Sequence, residues 1–227
     1  MGALPKSSDS GLSDGRVPHD SKFLPTLSQS PSRAAESIRT LRTHIMARHL
    51  AMGRRALAIC ATSAKTGCTF VAVNLAVALS QSGANTLLID ADLRNPKIHK
   101  IFGRPAPQGL QQYLGNSNSL PDELIEYGVL PKLSLLSAGG ATPNPGELLA
   151  SSRLNDLMDF CVREFDATIV DTPPANTSSD IGRICSVGTY CTIVARRNRS
   201  FVSDVKLLAE QLRADGAHVI GTVLCEG

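Results

Sequence analysis

No stretch of this sequence approaches the run of about 18 apolar residues that a membrane-spanning helix requires. The amino terminus also lacks the basic-then-apolar order of a secretory leader, so a cytoplasmic location is the expectation. Strong charge is missing too. The formal net charge is only +3, too small to argue for nucleic acid or for direct attraction to an anionic membrane surface. None of the six cysteines, Cys60, Cys68, Cys161, Cys185, Cys191 and Cys225, belongs to a C-x-x-C pair, which removes the simplest metal and redox motifs. Cys60, Cys161, Cys191 and Cys225 sit in apolar strand or helix patterns and read as buried, reduced thiols.

What is present is enough apolar material for a full core: 42% of 227 residues, a length that suits one large domain better than two. Residues 1–29 are rich in serine and proline and read as a flexible tail without a fold of its own. Residues 30–53 read as one helix, with Ser30 as its cap and Pro31 at its first position. Ala34, Ile38, Leu41, Ile45 and Met52 form a narrow apolar stripe on it. Glu36, Arg39 and Arg42 form a separate polar edge, either a solvated face or a subunit contact. Residues 54–227 hold everything else.

The stretch Arg55–Ala78 organises the chain: an apolar run, a small-residue turn, then a helical run. That is the context of a phosphate-binding loop, in which a strand hands over to a helix whose first free N–H groups face an anion. Ser63, Ala64, Lys65, Thr66, Gly67, Cys68, Thr69 and Phe70 occupy it. The pattern G-x-x-x-x-G-K-[ST] is met at Gly67 and Thr69 only. Cys68 stands at the lysine position and Thr62 at the first glycine. An ordinary strand-to-helix turn is the plain alternative. Further strands are expected at Ala56–Ala61, Thr86–Ile89, Lys132–Leu136, Ala167–Val170, Tyr190–Ala195 and Ala217–Leu224. Helices are expected at Cys68–Ser80, Gly109–Leu114, Leu120–Tyr127, Glu147–Arg163, Asp180–Ser186 and Phe201–Asp215. The alternation predicts an α/β fold, a doubly wound, mostly parallel sheet with helices on both faces. Asp90 and Asp92 directly follow an apolar strand, and so does Asp171. All three should share the carboxyl edge of the sheet, where ligands of such folds bind. Asp171 reads as the strand-end carboxylate able to hold Mg²⁺.

With the loop, Leu88-Ile89-Asp90-Ala91-Asp92-Leu93-Arg94-Asn95-Pro96 and Ile169-Val170-Asp171-Thr172-Pro173-Pro174 taken together, the chain resembles the bacterial tyrosine autokinases of the CpsD/CapB type. These are P-loop ATPases related to MinD and ParA. Glu36-x-x-Arg39-x-x-Arg42, Asn74-Leu75-Ala76 and Pro143-Asn144-Pro145-x-Glu147-Leu148-Leu149 match further motifs of that family. The resemblance covers about Ser32 to Leu224. It implies ATP and Mg²⁺ as cofactors, with Thr69, Asp90 and Asp171 around the metal and Asp90, Asp92 and Arg94 as catalytic candidates. It also implies a membrane-embedded polysaccharide co-polymerase as activator, with only indirect membrane contact, and homo-oligomers formed through Glu36, Arg39 and Arg42.

The departures bear on chemistry. Family members usually read PGEGKST where this chain reads AKTGCTF, so a lysine that places charge between the β and γ phosphates is replaced by Cys68. Lys65 replaces a glycine where backbone approaches ligand. The family's carboxyl-terminal tyrosine cluster is not matched, and the tyrosines are Tyr113, Tyr127 and Tyr190. The first expectation is therefore a regulator of exopolysaccharide or capsular polysaccharide biosynthesis with weak or lost catalysis. The alternatives are an active ATP-dependent protein tyrosine kinase and a MinD/ParA-like positioning ATPase. The last is disfavoured because Ser63 occupies that subgroup's extra lysine position and no amphipathic tail follows the last strand.

Overall fold

The computed structural model describes residues 23–27, 32–105, 108–116, 118–187 and 190–226. In chain order the helices and strands are α1 (Arg33–Arg48), β1 (Ala56–Ala61), α2 (Cys68–Gln81), β2 (Thr86–Asp90), α3 (Ile98–Ile101), α4 (Leu110–Gly115), α5 (Pro121–Leu124), β3 (Glu126–Leu130) and β4 (Leu133–Leu136). They continue with α6 (Pro145–Leu149), α7 (Arg153–Glu164), β5 (Ala167–Asp171), α8 (Asp180–Ser186), β6 (Tyr190–Arg196), α9 (Val202–Ala214) and β7 (His218–Cys225).

The strands form one seven-stranded sheet in the order β3-β4-β2-β5-β1-β6-β7, parallel throughout except for the β3–β4 pair. Successive side chains of a strand face opposite layers, and β1 shows it. Ala56, Ala58 and Cys60 enter the cluster covered by α4, α7, α8 and α9. Leu57 and Ile59 enter the cluster covered by α1, α2 and α3. Both faces are therefore apolar, as parallel strands buried on two sides must be. β5 lies between β1 and β2, with Asp171 in register with Ile59 on one side and Asp90 on the other.

α2 is buried all along Val71–Ser80. A helix that is apolar all round needs cover on its outer face, and α1 supplies it through Ala35, Ile38 and Ile45. Each large aliphatic side chain so enclosed contributes about 1.5–3 kcal/mol by leaving water. Part of the expected tail also docks there. Leu24 and Thr26 are buried, Asn74 Nδ2 donates to Phe23 O at 2.9 Å, Thr26 Oγ1 donates to Asn74 Oδ1 at 2.8 Å, and Gln81 Nε2 donates to Thr26 O at 3.0 Å.

Other differences from expectation have local causes. Ser30 and Pro31 lie outside the described residues. The helix instead starts at Arg33, with Ser32 Oγ accepting from Ala35 N at 3.1 Å. Ala35, not Ala34, faces the core, and Met52 is exposed in a separate short turn after α1. The helix expected at Leu120–Tyr127 is a single turn followed by edge strand β3, which returns to β4 through Lys132 at φ 62°. The helix expected at Glu147–Arg163 is broken between α6 and α7, where Ser151 Oγ accepts from Arg153 N at 3.3 Å and offers the chain a local stop.

Candidate nucleotide site

At the end of β1 the backbone turns through Thr62–Gly67 into α2. Gly67 adopts φ 102° and Lys65 adopts φ 63°. Both lie in the left-handed region, natural for Gly67 and costly for Lys65, which carries a Cβ. This is the physical reason a glycine suits position 65. Thr66 is buried, and its hydroxyl donates to Ser63 O at 3.2 Å, closing the loop on itself. Ala64 and Lys65 are exposed. The loop is tied to the chain after β5 by Ala175 N to Ala61 O at 2.9 Å and Asn176 N to Thr62 O at 3.0 Å.

Asp171 sits beside Cys68 and Thr69 of this loop, with Asp90 and Asp92 close to it. Asp171, at the end of β5, is buried, and its Oδ1 has no hydrogen-bond partner among the described residues. Burial, and next the charge of Asp90, push its carboxyl well above the usual range, while the Thr69 hydroxyl and the Cys68 thiol oppose the shift. An orphaned carboxylate oxygen next to a threonine hydroxyl is a donor set of hard oxygens, and it fits Mg²⁺. Asp90, at the end of β2, has both oxygens engaged. Oδ2 accepts from Lys97 N and Ile98 N, each at 3.0 Å, and Oδ1 accepts from Asp92 N at 3.2 Å. Burial still raises its pKa to about 6, against the pull of those N–H groups. Asp92 Oδ1 accepts from Asn95 N at 3.1 Å.

Cys68 opens α2 with its side chain turned inward. Its Sγ donates to Ile59 O at 3.0 Å, a carbonyl that also accepts from Thr172 Oγ1 at 2.9 Å. Burial, then the charge of Asp171, raise the thiol pKa well above its ordinary value. The residue is thus a neutral thiol that neither attracts nor repels phosphate.

The remaining expected residues divide. Arg94 reaches the edge but is committed to Asp180 Oδ2 at 3.2 Å and Ser178 Oγ at 3.4 Å. Phe70 packs edge-on against Phe23 at 5.5 Å between ring centres, within the α1–α2 layer. Glu36 and Arg39 form an exposed pair at 3.0 Å on α1, and Arg42 Nε is buried without a partner among the described residues.

Two residues at the site were not among the expected site residues. Arg196, at the end of β6, donates from Nη1 to Lys65 O at 3.1 Å. Cys225, at the end of β7, sits where a Cβ on Gly67 would meet its Sγ at 3.4 Å. Their only sequence signal was position, at the carboxyl ends of parallel strands.

Comparison with known proteins is consistent with this geometry. The ParA family model, described as NUBPL iron-transfer P-loop NTPase, matches residues 54–224. The putative tyrosine-protein kinase CapB of Staphylococcus aureus is 32% identical over 85% of this chain and 84% of its own length. The tyrosine-protein kinase etk of Escherichia coli K12 is 33% identical over 91% of this chain, which spans 28% of that longer protein. The solved kinase domain of the Escherichia coli tyrosine kinase ETK superposes with a TM-score of 0.83 at 30% identity, covering 96% of this chain and 84% of that one. Among the described residues no helix is long and apolar enough to cross a membrane.

Proposed function

The chain belongs to the bacterial tyrosine autokinases of the CpsD/CapB type, relatives of the ParA and MinD P-loop ATPases, and on that premise we propose that it binds Mg-ATP at the loop Ser63–Thr69 and acts in exopolysaccharide or capsular polysaccharide biosynthesis. Its location in this reading is cytoplasmic, at the inner face of the membrane, with a membrane-embedded polysaccharide co-polymerase as activator. Thr69 and Asp171 hold the metal, and the orphaned Asp171 Oδ1 is the observation that carries the proposal. Mg-ATP supplies the transferable phosphoryl group and the charge that the buried carboxylates lack. Asp92 accepts the proton of an incoming tyrosine hydroxyl. Asp90 orders the loop that carries Asp92 through its three backbone N–H bonds and adds its charge to the metal site. Glu36, Arg39 and Arg42 contact a second copy, a reading supported by the Glu36–Arg39 pair that stands exposed on α1.

The names of the relatives favour a working kinase over a chain that has lost catalysis. The inward, neutral Cys68 favours slow transfer, because no loop cation meets the charge that moves between β and γ phosphates. A kinase of low turnover with an intact nucleotide site satisfies both. The test is ATP turnover and tyrosine phosphorylation by wild type, Cys68→Lys and Cys68→Lys/Lys65→Gly, each with the activator's cytoplasmic fragment. Wild type should bind Mg-ATP and turn over slowly, and a restored lysine should raise the rate by about 10²–10³, the scale of one well-placed electrostatic donor. Fast wild-type turnover would show that another cation, with Arg196 as the first candidate, already serves. Absent Mg-ATP binding overturns the site. Light scattering of the same wild type against a Glu36/Arg39/Arg42 triple alanine variant reads the assembly, and equal monomeric masses reject the contact.

A further inference from the structure

Three of the six cysteines converge in the core from three separate elements. Cys60 lies in β1, Cys185 in α8 and Cys191 in β6. Their sulfur atoms all lie within 4.8 Å of one another, and the Cys60 and Cys185 sulfurs approach to 3.3 Å. That is well beyond a disulfide bond of about 2.05 Å. Metal–sulfur bonds of about 2.3 Å in a trigonal plane space three sulfurs by roughly 4 Å, inside the 4.8 Å span of this group, so a small opening of the Cys60–Cys185 approach admits one ion.

The surroundings narrow the choice of ion. All three side chains are buried at 0–1% exposure in an apolar cluster, and no carboxylate or imidazole among the described residues joins the group. The nearby Thr172 hydroxyl is spent on Ile59 O. Structural zinc takes four donors. A soft ion content with three thiolates fits better, and cuprous copper is the common one. Arg213 supplies positive charge on the Cys191 side, which offsets part of the thiolate charge.

We propose that Cys60, Cys185 and Cys191 form a buried three-sulfur site for a soft monovalent metal ion of the cuprous type. Binding is an exchange at sulfur. Three S–H bonds give way to three metal–sulfur bonds, the protons pass to solvent, and no electron is transferred. The ion cross-links β1, β6 and α8 directly beneath the phosphate edge, since Cys60 is followed by Ala61 and the loop, and α8 begins at Asp180, the partner of Arg94.

The experiment is an anaerobic titration of the reduced, full-length protein with cuprous ion against a competing chromophoric chelator. One equivalent should bind wild type tightly and raise Tm by several degrees. Cys60→Ser and Cys185→Ala should lose both effects, while Cys225→Ser and Cys161→Ala keep them. X-ray absorption of the copper-loaded wild type needs no variant, and it should show three sulfur neighbours. Retention of the equivalent in Cys60→Ser, two or fewer sulfur neighbours, or failure of wild type to compete with the chelator each overturns the proposal.

Discussion

On the β2–β5 side of the carboxyl edge, backbone fixes the charged groups. Asp90 is held by three N–H bonds, Asp92 by Asn95 N, and Asp171 lies in register with Asp90 across the pair. On the β1–α2 side the loop has the shape of a phosphate cradle without its usual cation, and one of its residues is a lysine at φ 63°. The two sides therefore bear different demands. The acidic side stores unfavourable charge that a proton or a metal ion relieves, whereas the loop side stores backbone strain and offers N–H groups with the Thr69 hydroxyl. Such a site should keep metal-dependent nucleotide binding more readily than fast transfer.

The largest expected effect lies on the acidic side. Asp171→Asn should weaken Mg-ATP binding by about 3–5 kcal/mol, the cost of removing one partner from a buried charge pair, or at least 100-fold in Kd. The same change should raise Tm of the nucleotide-free protein, because it deletes a buried carboxylate with one oxygen unpartnered. Titration calorimetry and a melting curve on one preparation check both signs. Unchanged Mg-ATP affinity would remove Asp171 from the metal shell.

A pH series is the next sharpest probe. Burial raises the Asp90 pKa to about 6, above its ordinary value near 4. The folded state therefore holds a proton that the unfolded state has released between those two values. Its contribution is most favourable at or below pH 4 and declines as pH rises to about 6. At about 1.4 kcal/mol for each pH unit of difference, the decline is about 3 kcal/mol. Asp171 works in the same direction. Urea midpoints of the Mg-free protein between pH 4 and 7 should fall accordingly, and Asp90→Asn should flatten the slope even where its absolute stability differs. A slope that Asp90→Asn leaves intact would assign the proton elsewhere.

Much of this acidic side was legible because its strands are buried on both faces. TLLI and ATIV are apolar but for one threonine each, and each ends in a carboxylate at a predictable edge. β3 was not legible. As an edge strand it mixes Glu126, Tyr127 and Gly128 with half-exposed positions, and its identity comes from pairing with β4. The docking of Phe23–Leu27 depends on Asn74, 48 residues from Thr26, and a serine- and proline-rich composition carries no trace of such a partner. Arg196 against Lys65 O and the meeting of Cys60, Cys185 and Cys191 are likewise products of strand order. Local pattern shows which face a residue takes, not which distant residue shares it.

The smallest expected effect belongs to the loop side. Lys65 at φ 63° carries left-handed strain of about 1–2 kcal/mol. Glycine would relieve it while giving back about 0.4–1 kcal/mol through a more flexible unfolded chain. The net gain for Lys65→Gly is therefore about 0.5–1 kcal/mol, or roughly 1–4 °C in Tm for a chain of this size. The Arg196 bond to the residue-65 carbonyl needs no side chain at that position and should survive. Lys132→Gly is the matched control, since Lys132 has φ 62° in the β3–β4 turn, away from the phosphate loop. Both variants should gain similar stability, but only Lys65→Gly should tighten Mg-ATP binding by opening the backbone to phosphate. Equal Tm gains with no change in nucleotide affinity for either would mean that the residue-65 Cβ does not obstruct the cradle. The weakness of the loop side would then rest on Cys68 alone.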